Sequence, residues 1–273
     1  MTTENTQATD QDATTTNGAP KTTFVSFLLD ETGSMESIKD DTIGGFNEYV
    51  KTLQGSGGDI LFSLVSFNSS RTEKRHVADP IGEVRPLTAA DYRPHAMTPL
   101  IDASVKLIKA TDEAVARRGD DPNVVIVLQT DGQENVSVEY TRKDLALLVK
   151  EKETAGWEFV FLGAGLDAFD AAHRAGLVLS DQRVMSYGRA RSPQAFAGIA
   201  MNVAEYAERG MSADLDFSPD QRAAAGDEYH DRRERKKARK RGRKGRSPRR
   251  GSGAPQRGAE DAGASTVDDF DLS

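Results

Sequence analysis

No cysteine occurs in the 273 residues, which excludes a disulfide scaffold, thiolate catalysis, cysteine-held zinc and iron–sulfur clusters. Long apolar runs are also missing, since nothing approaches the roughly 20 residues a membrane helix needs. The first residues, TTENTQATDQDATTTNGAP, carry neither the basic start nor the apolar stretch of a secretory leader. The expectation is a cytoplasmic protein without a membrane partner. Apolar residues are scarce, 37% against 29% charged, which is lean for a chain that folds along its whole length, so some segments should stay solvated. The four histidines show no H-x-H or H-E-x-x-H spacing, and G-x-S-x-G and Walker A motifs are absent.

What is present is unevenly distributed. Residues 1–20 hold almost only Thr, Gln, Asp, Asn and Ala and cannot offset the entropy of ordering, so they are expected to be a disordered leader. Residues 231–250, DRRERKKARKRGRKGRSPRR, hold 13 Lys/Arg and 2 acids, a local +11. Removing that from the net −7 leaves −18 on the remainder. The expected organisation is a folded domain over 21–211, a linker over 212–230 with one short helix opened by Ser218 and Pro219, the basic tract, and an acidic, disordered 251–273.

Within 21–211, four short runs rich in β-branched and aromatic residues read as strands covered on both faces: Phe24 to Leu29, Ile60 to Phe67, Val124 to Leu128 and Trp157 to Leu162. Between them, Ile43, Phe46, Val50 and Leu53 share one helical face, as do Phe196, Ile199, Val203 and Tyr206. Thr98-Pro99 opens a helix to Arg118, Thr141 to Asp144 forms a capping box for a helix ending at Gly156, and Ser192-Pro193 and Gly210 bracket the last. This alternation predicts a doubly wound, mostly parallel α/β sheet flanked by helices.

Ligands of open α/β sheets bind outside the carboxyl ends of the strands. The first run ends in Asp30, and Asp30-Glu31-Thr32-Gly33-Ser34 follows the acid with hydroxyls at +2 and +4. In an extended loop alternate residues face the same way, so Asp30, Thr32 and Ser34 aim together while Glu31 faces elsewhere. The third run leads to Asp131. Oxygen ligands of mixed charge suit a hard cation such as Mg2+ and disfavour softer metals. With only two carboxylates against a divalent charge, such an ion would still accept an anionic oxygen from outside. Singly, each residue has an ordinary structural reading: Thr32, Ser34 and Thr98 could cap helices, and Asp131-Gly132 could be a turn. Glu31 and Glu134 read as solvated loop acids outside the set.

On these residues the chain resembles the von Willebrand factor A-type domain with its metal-ion-dependent adhesion site. That pattern is Asp-x-Ser/Thr-x-Ser, then a Thr before a later helix, then an Asp after the fourth strand. Asp30, Thr32 and Ser34, Thr98 in HAMTPLIDA and Asp131 in LQTDGQEN fill it, with Thr32 in place of the commoner Ser. The likeness covers about Lys21 to Met211, and the DETGSM and TPLIDA wording is most similar to stand-alone intracellular proteins of bacteria and their phages. It implies an A-type fold, Mg2+ or Mn2+ at Asp30, Thr32, Ser34, Thr98 and Asp131, and a partner protein whose Asp or Glu completes the coordination.

Other readings compete. Gly163-Ala164-Gly165-Leu166-Asp167-Ala168 matches the dinucleotide pattern G-x-G-x-x-A, but the unit from Phe159 to Asp181 falls short of the roughly 30 residues a βαβ motif needs, so a tight strand–helix turn is expected. A magnesium-dependent hydrolase is the lesser alternative, and without a visible nucleophile or base an enzyme is not expected. His95, near Thr98, reads as a loop residue. The basic tract, lacking interleaved aromatics, offers phosphate contacts without stacking; its readings are sequence-independent nucleic-acid association or a solvated tail.

Overall fold

The computed structural model describes residues 21–244, with side chains described to Arg239. The leader over 1–20, the end of the basic tract and the segment 251–273 lie outside the described residues. The elements run β1 (Thr23–Asp30), α1 (Lys39–Gln54), β2 (Ile60–Phe67), β3 (Thr72–Pro80), α2 (Leu100–Arg118), β4 (Asn123–Thr130), α3 (Arg142–Thr154), β5 (Glu158–Ala164), α4 (Ala168–Ala175), β6 (Val184–Tyr187), α5 (Ser192–Arg209), α6 (Pro219–Ala225) and α7 (Glu228–Lys244). Among the described residues no helix is long and apolar enough to cross a membrane.

The six strands lie in the order β3-β2-β1-β4-β5-β6, parallel except β3, which runs against β2. The expected doubly wound, mostly parallel α/β sheet flanked by helices is thus the observed fold. Because a parallel strand alternates its side chains between two covered faces, β1 sends Val25, Phe27 and Leu29 into one core and Phe24 and Leu28 into the other. Helices α1 and α5 close the first face, where Phe196 stacks on Phe27 at 5.9 Å between ring centres. Helices α2, α3 and α4 close the second.

Two strands escaped the sequence reading. β3 reads TEKRHVADP, a charged edge strand with no apolar run to betray it, and β6 has four residues. The domain boundary at Met211 also needs correction. Leu215, Phe217 and Ala225 join the first core, and the compact unit ends at Glu234. The expected linker over 212–230 holds α6, capped by Ser218 and Gln221 in a reciprocal pair, and a buried Arg222. That guanidinium donates to Asp227 at 2.7 Å and to the backbone carbonyls of Asp181 and Val184. The segment folds through three apolar side chains and one satisfied ion pair, which a count of apolar residues overlooks.

Strand order reverses between β1 and β4, since the chain winds outward from β1 to β2 on one side and from β4 to β5 on the other. At such a switch point the loops diverge and leave a crevice at the carboxyl edge. Asp30 and Asp131 are there.

Candidate metal centre

Asp30 is the last residue of β1 and fully buried. Its Oδ1 accepts from the Thr32 amide at 2.7 Å, and its Oδ2 accepts from the Thr130 hydroxyl at the end of β4. Burial pushes the carboxyl up to about 6, against the pull of the hydrogen bonds from Thr130 and Thr32, and the neighbouring Asp131 charge adds to the rise. Asp131, the first residue past β4, accepts from the Ser34 hydroxyl at 2.5 Å. Ser34 Oγ in turn lies 3.2 Å from Thr32 Oγ1. The other oxygen of Asp131, Oδ2, is buried and makes no hydrogen bond. The Arg189 guanidinium stands 3.2 Å from it, close enough for an ion pair but off the line a hydrogen bond needs. Burial raises the Asp131 carboxyl as well, opposed by Ser34 and Arg189.

Thr98 is buried and tied to the Asp131 loop. Its amide donates to Asn135 Oδ1 at 3.0 Å, and its carbonyl accepts from the Asn135 amide at 3.2 Å. A Cβ added to Gly132 would stand 2.9 Å from Thr98 Oγ1, so glycine is what lets this loop come against the hydroxyl. On the other side, Gly33 donates to the Ala96 carbonyl and His95 to the Glu31 carbonyl, both at 3.0 Å. Ala96 takes a left-handed φ of 64°, an uncommon and strained state for alanine, two residues before Thr98. Ser34 therefore touches both Thr32 and Asp131, Asp30 adjoins them through the Thr32 amide, and Thr98 sits against the Asp131 loop at Gly132. His95 lies in this connection with Nδ1 2.8 Å from the Arg93 carbonyl.

The capping alternatives fail for the threonines. Thr32 occupies the N-cap position of the 3-10 turn Gly33–Ile38 but its side chain caps nothing. The N-cap of α2 is Pro99, again without a side-chain cap. Glu134 instead reaches across to accept from the Ile101 amide at 2.7 Å, and also takes the amides of Val136 and Ser137. The reading of Glu134 and Glu31 as solvated loop acids is thus overturned. Glu31 is wholly buried and accepts from Ser66 Oγ, the Arg93 amide, Arg71 and Arg75; these partners hold its carboxyl below the usual range despite the opposing effect of burial. Its only sequence signal was parity, because a residue next to Asp30 on a covered strand must point the opposite way. Asp102 was missed too: it accepts from the amides of Val138, Glu139 and Tyr140 and so folds the loop leading to α3. Gly163, in the dinucleotide-like stretch, serves packing: a Cβ there would lie 2.6 Å from that of Ala168.

Among the described residues no group of three or more His, Asp or Glu is placed to hold a metal, as expected of a set with two carboxylates and three hydroxyls. The donors nevertheless suit a hard divalent cation. Both acids are held where ionisation is unfavourable, and one buried carboxylate oxygen has no hydrogen bond.

Compared by sequence, the chain matches no family profile and no curated protein. By structure it is similar to the pilus adhesin SpaC from Lactobacillus rhamnosus GG in an open conformation, with a TM-score of 0.50 and 14% identity over 70% of this chain and 30% of that one. It is also similar to proximal thread matrix protein 1 from the mussel byssus with a zinc-occupied MIDAS motif (TM-score 0.48, 16% identity, 69% and 46% covered) and to a von Willebrand factor type A protein from Catenulispora acidiphila (0.44, 13%, 72% and 43%). The chain spans less than half the length of each of these three. These likenesses concern the fold.

Proposed function

We propose that the chain is a divalent-cation-dependent protein-binding module whose ligands are Asp30, Thr32, Ser34, Thr98 and Asp131, with Mg2+ or Mn2+ as the ion. The observation that carries this reading is the meeting of two buried carboxylates with the Thr32 and Ser34 hydroxyls, neither committed to a helix cap, beside an Asp131 oxygen with no hydrogen bond. The bound ion would supply an electrophilic position for a carboxylate oxygen from a partner's Asp or Glu. The chain's own residues do the rest. Asp30 fixes the Thr32 loop through its amide, Ser34 joins that loop to Asp131, and Gly132 brings Thr98 alongside. No catalytic step is assigned.

Asp30→Ala should remove the gain in melting temperature that Mg2+ or Mn2+ gives the wild type, a gain that rises with free ion as RT ln(1 + [L]/Kd). Affinity capture from the source cell should retain a partner with Mg2+, and lose it with EDTA or the variant. An unchanged metal response in the variant moves the ion elsewhere. A second reading concerns a different surface: exposed Arg235, Lys236 and Arg239 of α7 favour non-specific contact with nucleic-acid phosphates through residues 231–250.

A further inference from the structure

Arg189 lies just past β6, on the far side of the switch point from β1, yet it reaches three loops. Its Nη2 stands 3.2 Å from Asp131 Oδ2, and its Nη1 donates to Ser37 Oγ at 2.7 Å and lies 3.5 Å from the Ser34 carbonyl. The stem crosses Gly165, where a Cβ would come within 2.8 Å of Arg189 Cγ and 2.9 Å of Nε. Gly165 has a left-handed φ of 64°, and its amide bonds the Tyr187 carbonyl at 2.7 Å. Glycine at 165 therefore leaves the room this side chain occupies. The Arg189 side chain is 45% exposed, whereas that of Asp131 is fully buried, so the arginine lies on the solvent side of the pair.

We infer that Arg189 is a resident counter-cation of Asp131 that opposes divalent binding, so that ion uptake has to displace or repel its guanidinium. The inference rests on the assignment of Asp131 to the metal set. Without an ion, Asp30 and Asp131 carry up to two negative charges and Arg189 offsets one. With an ion bound, the same guanidinium adds a positive charge beside it, which sets the metal affinity lower than the five oxygens alone would give and leaves the loaded crevice net cationic. Ser37 and the Ser34 carbonyl hold the arginine on the loop that carries two of the ligands, so its position and the ligand geometry are coupled.

The test is Mn2+ and Mg2+ titration by calorimetry on the full chain for wild type, Arg189→Ala and Arg189→Lys, with melting curves of each in EDTA. Removing a unit charge a few ångströms from a divalent ion should tighten binding by roughly tenfold or more in Arg189→Ala. Arg189→Lys, which keeps the charge, should stay near wild type. In EDTA, Arg189→Ala should melt below wild type because Asp131 loses its partner. Equal or weaker binding in Arg189→Ala, with wild type still binding, overturns the counter-cation and leaves the metal set standing. No binding in any of the three, with native melting curves, overturns both.

Discussion

At the scale of single residues, Asp30 is the group whose chemistry differs most from its ordinary state. Its carboxyl sits at about 6 in the fold against 3.8 for an unburied aspartate, chiefly because burial disfavours the charge. The folded state thus holds this proton more tightly than the unfolded chain does. Its ionisation erodes stability as pH rises from about 4 to about 6, the cost persists above that, and stability is regained as pH falls back through 6. Glu31 beside it has the opposite sign, since its carboxyl is held low by its partners and its contribution is lost on acidification. Asp30→Asn separates the two: in EDTA the variant should melt above wild type at pH 7.5, with the advantage shrinking between pH 6 and 4. Melting curves of both proteins across that range check it, and parallel curves would refute the assignment. The same proton competes with a cation, so Mn2+ affinity in wild type should weaken steadily below pH 6.

At the scale of elements, the carboxyl end of β1 is held by the edge strand that sequence reading missed. Glu31 joins β1 to Arg71, just before β3, and to Arg75 within it, while Ser66 of β2 donates to the same carboxylate. Replacing Glu31 by Ala should cost about 3 kcal/mol, because Arg75, nearly buried, would keep the partly exposed Glu73 as its one carboxylate, beside neutral contacts to the Ser66 hydroxyl and the Asp91 carbonyl. Urea denaturation of Glu31→Ala and of Glu31→Ala/Arg75→Met measures it: the double variant should recover part of the loss, and a single variant as stable as wild type would remove Glu31 from the framework. The contrast with Asp30 explains what was legible. Alternation along a covered strand and the two-residue spacing of Asp30, Thr32 and Ser34 are local, so both the central strands and the site loops could be read. Glu31 answers to arginines 40 and 44 positions away, and Glu134 caps a helix that begins 34 residues before it in the chain. Local periodicity carries no trace of such partnerships.

At the scale of the whole molecule, the domain boundary and the charge division fall at nearly the same place. The compact unit closes at Glu234, just after the basic tract begins, so the acidic body and most of the +11 segment can be parted without cutting the core. Two truncations follow. A chain ending at Met211 would strip Leu215, Phe217 and Ala225 from the core and leave the Val184 and Asp181 carbonyls without Arg222. Burying one large apolar side chain contributes about 1.5–3 kcal/mol, so the loss of Leu215 and Phe217 should lower the melting temperature sharply or prevent folding. A chain ending at Glu234 should melt as the full protein does, since Arg235 to Arg239 are exposed. It should also keep the Mg2+ response while losing low-salt retention on immobilised DNA and RNA, which in the full chain should fall steeply between 50 and 200 mM salt, as it does for proteins that make about six or more phosphate contacts. Equal retention with and without the tract would end the nucleic-acid reading, and a lower melting point for the 234-residue chain would place the basic helix within the folded body.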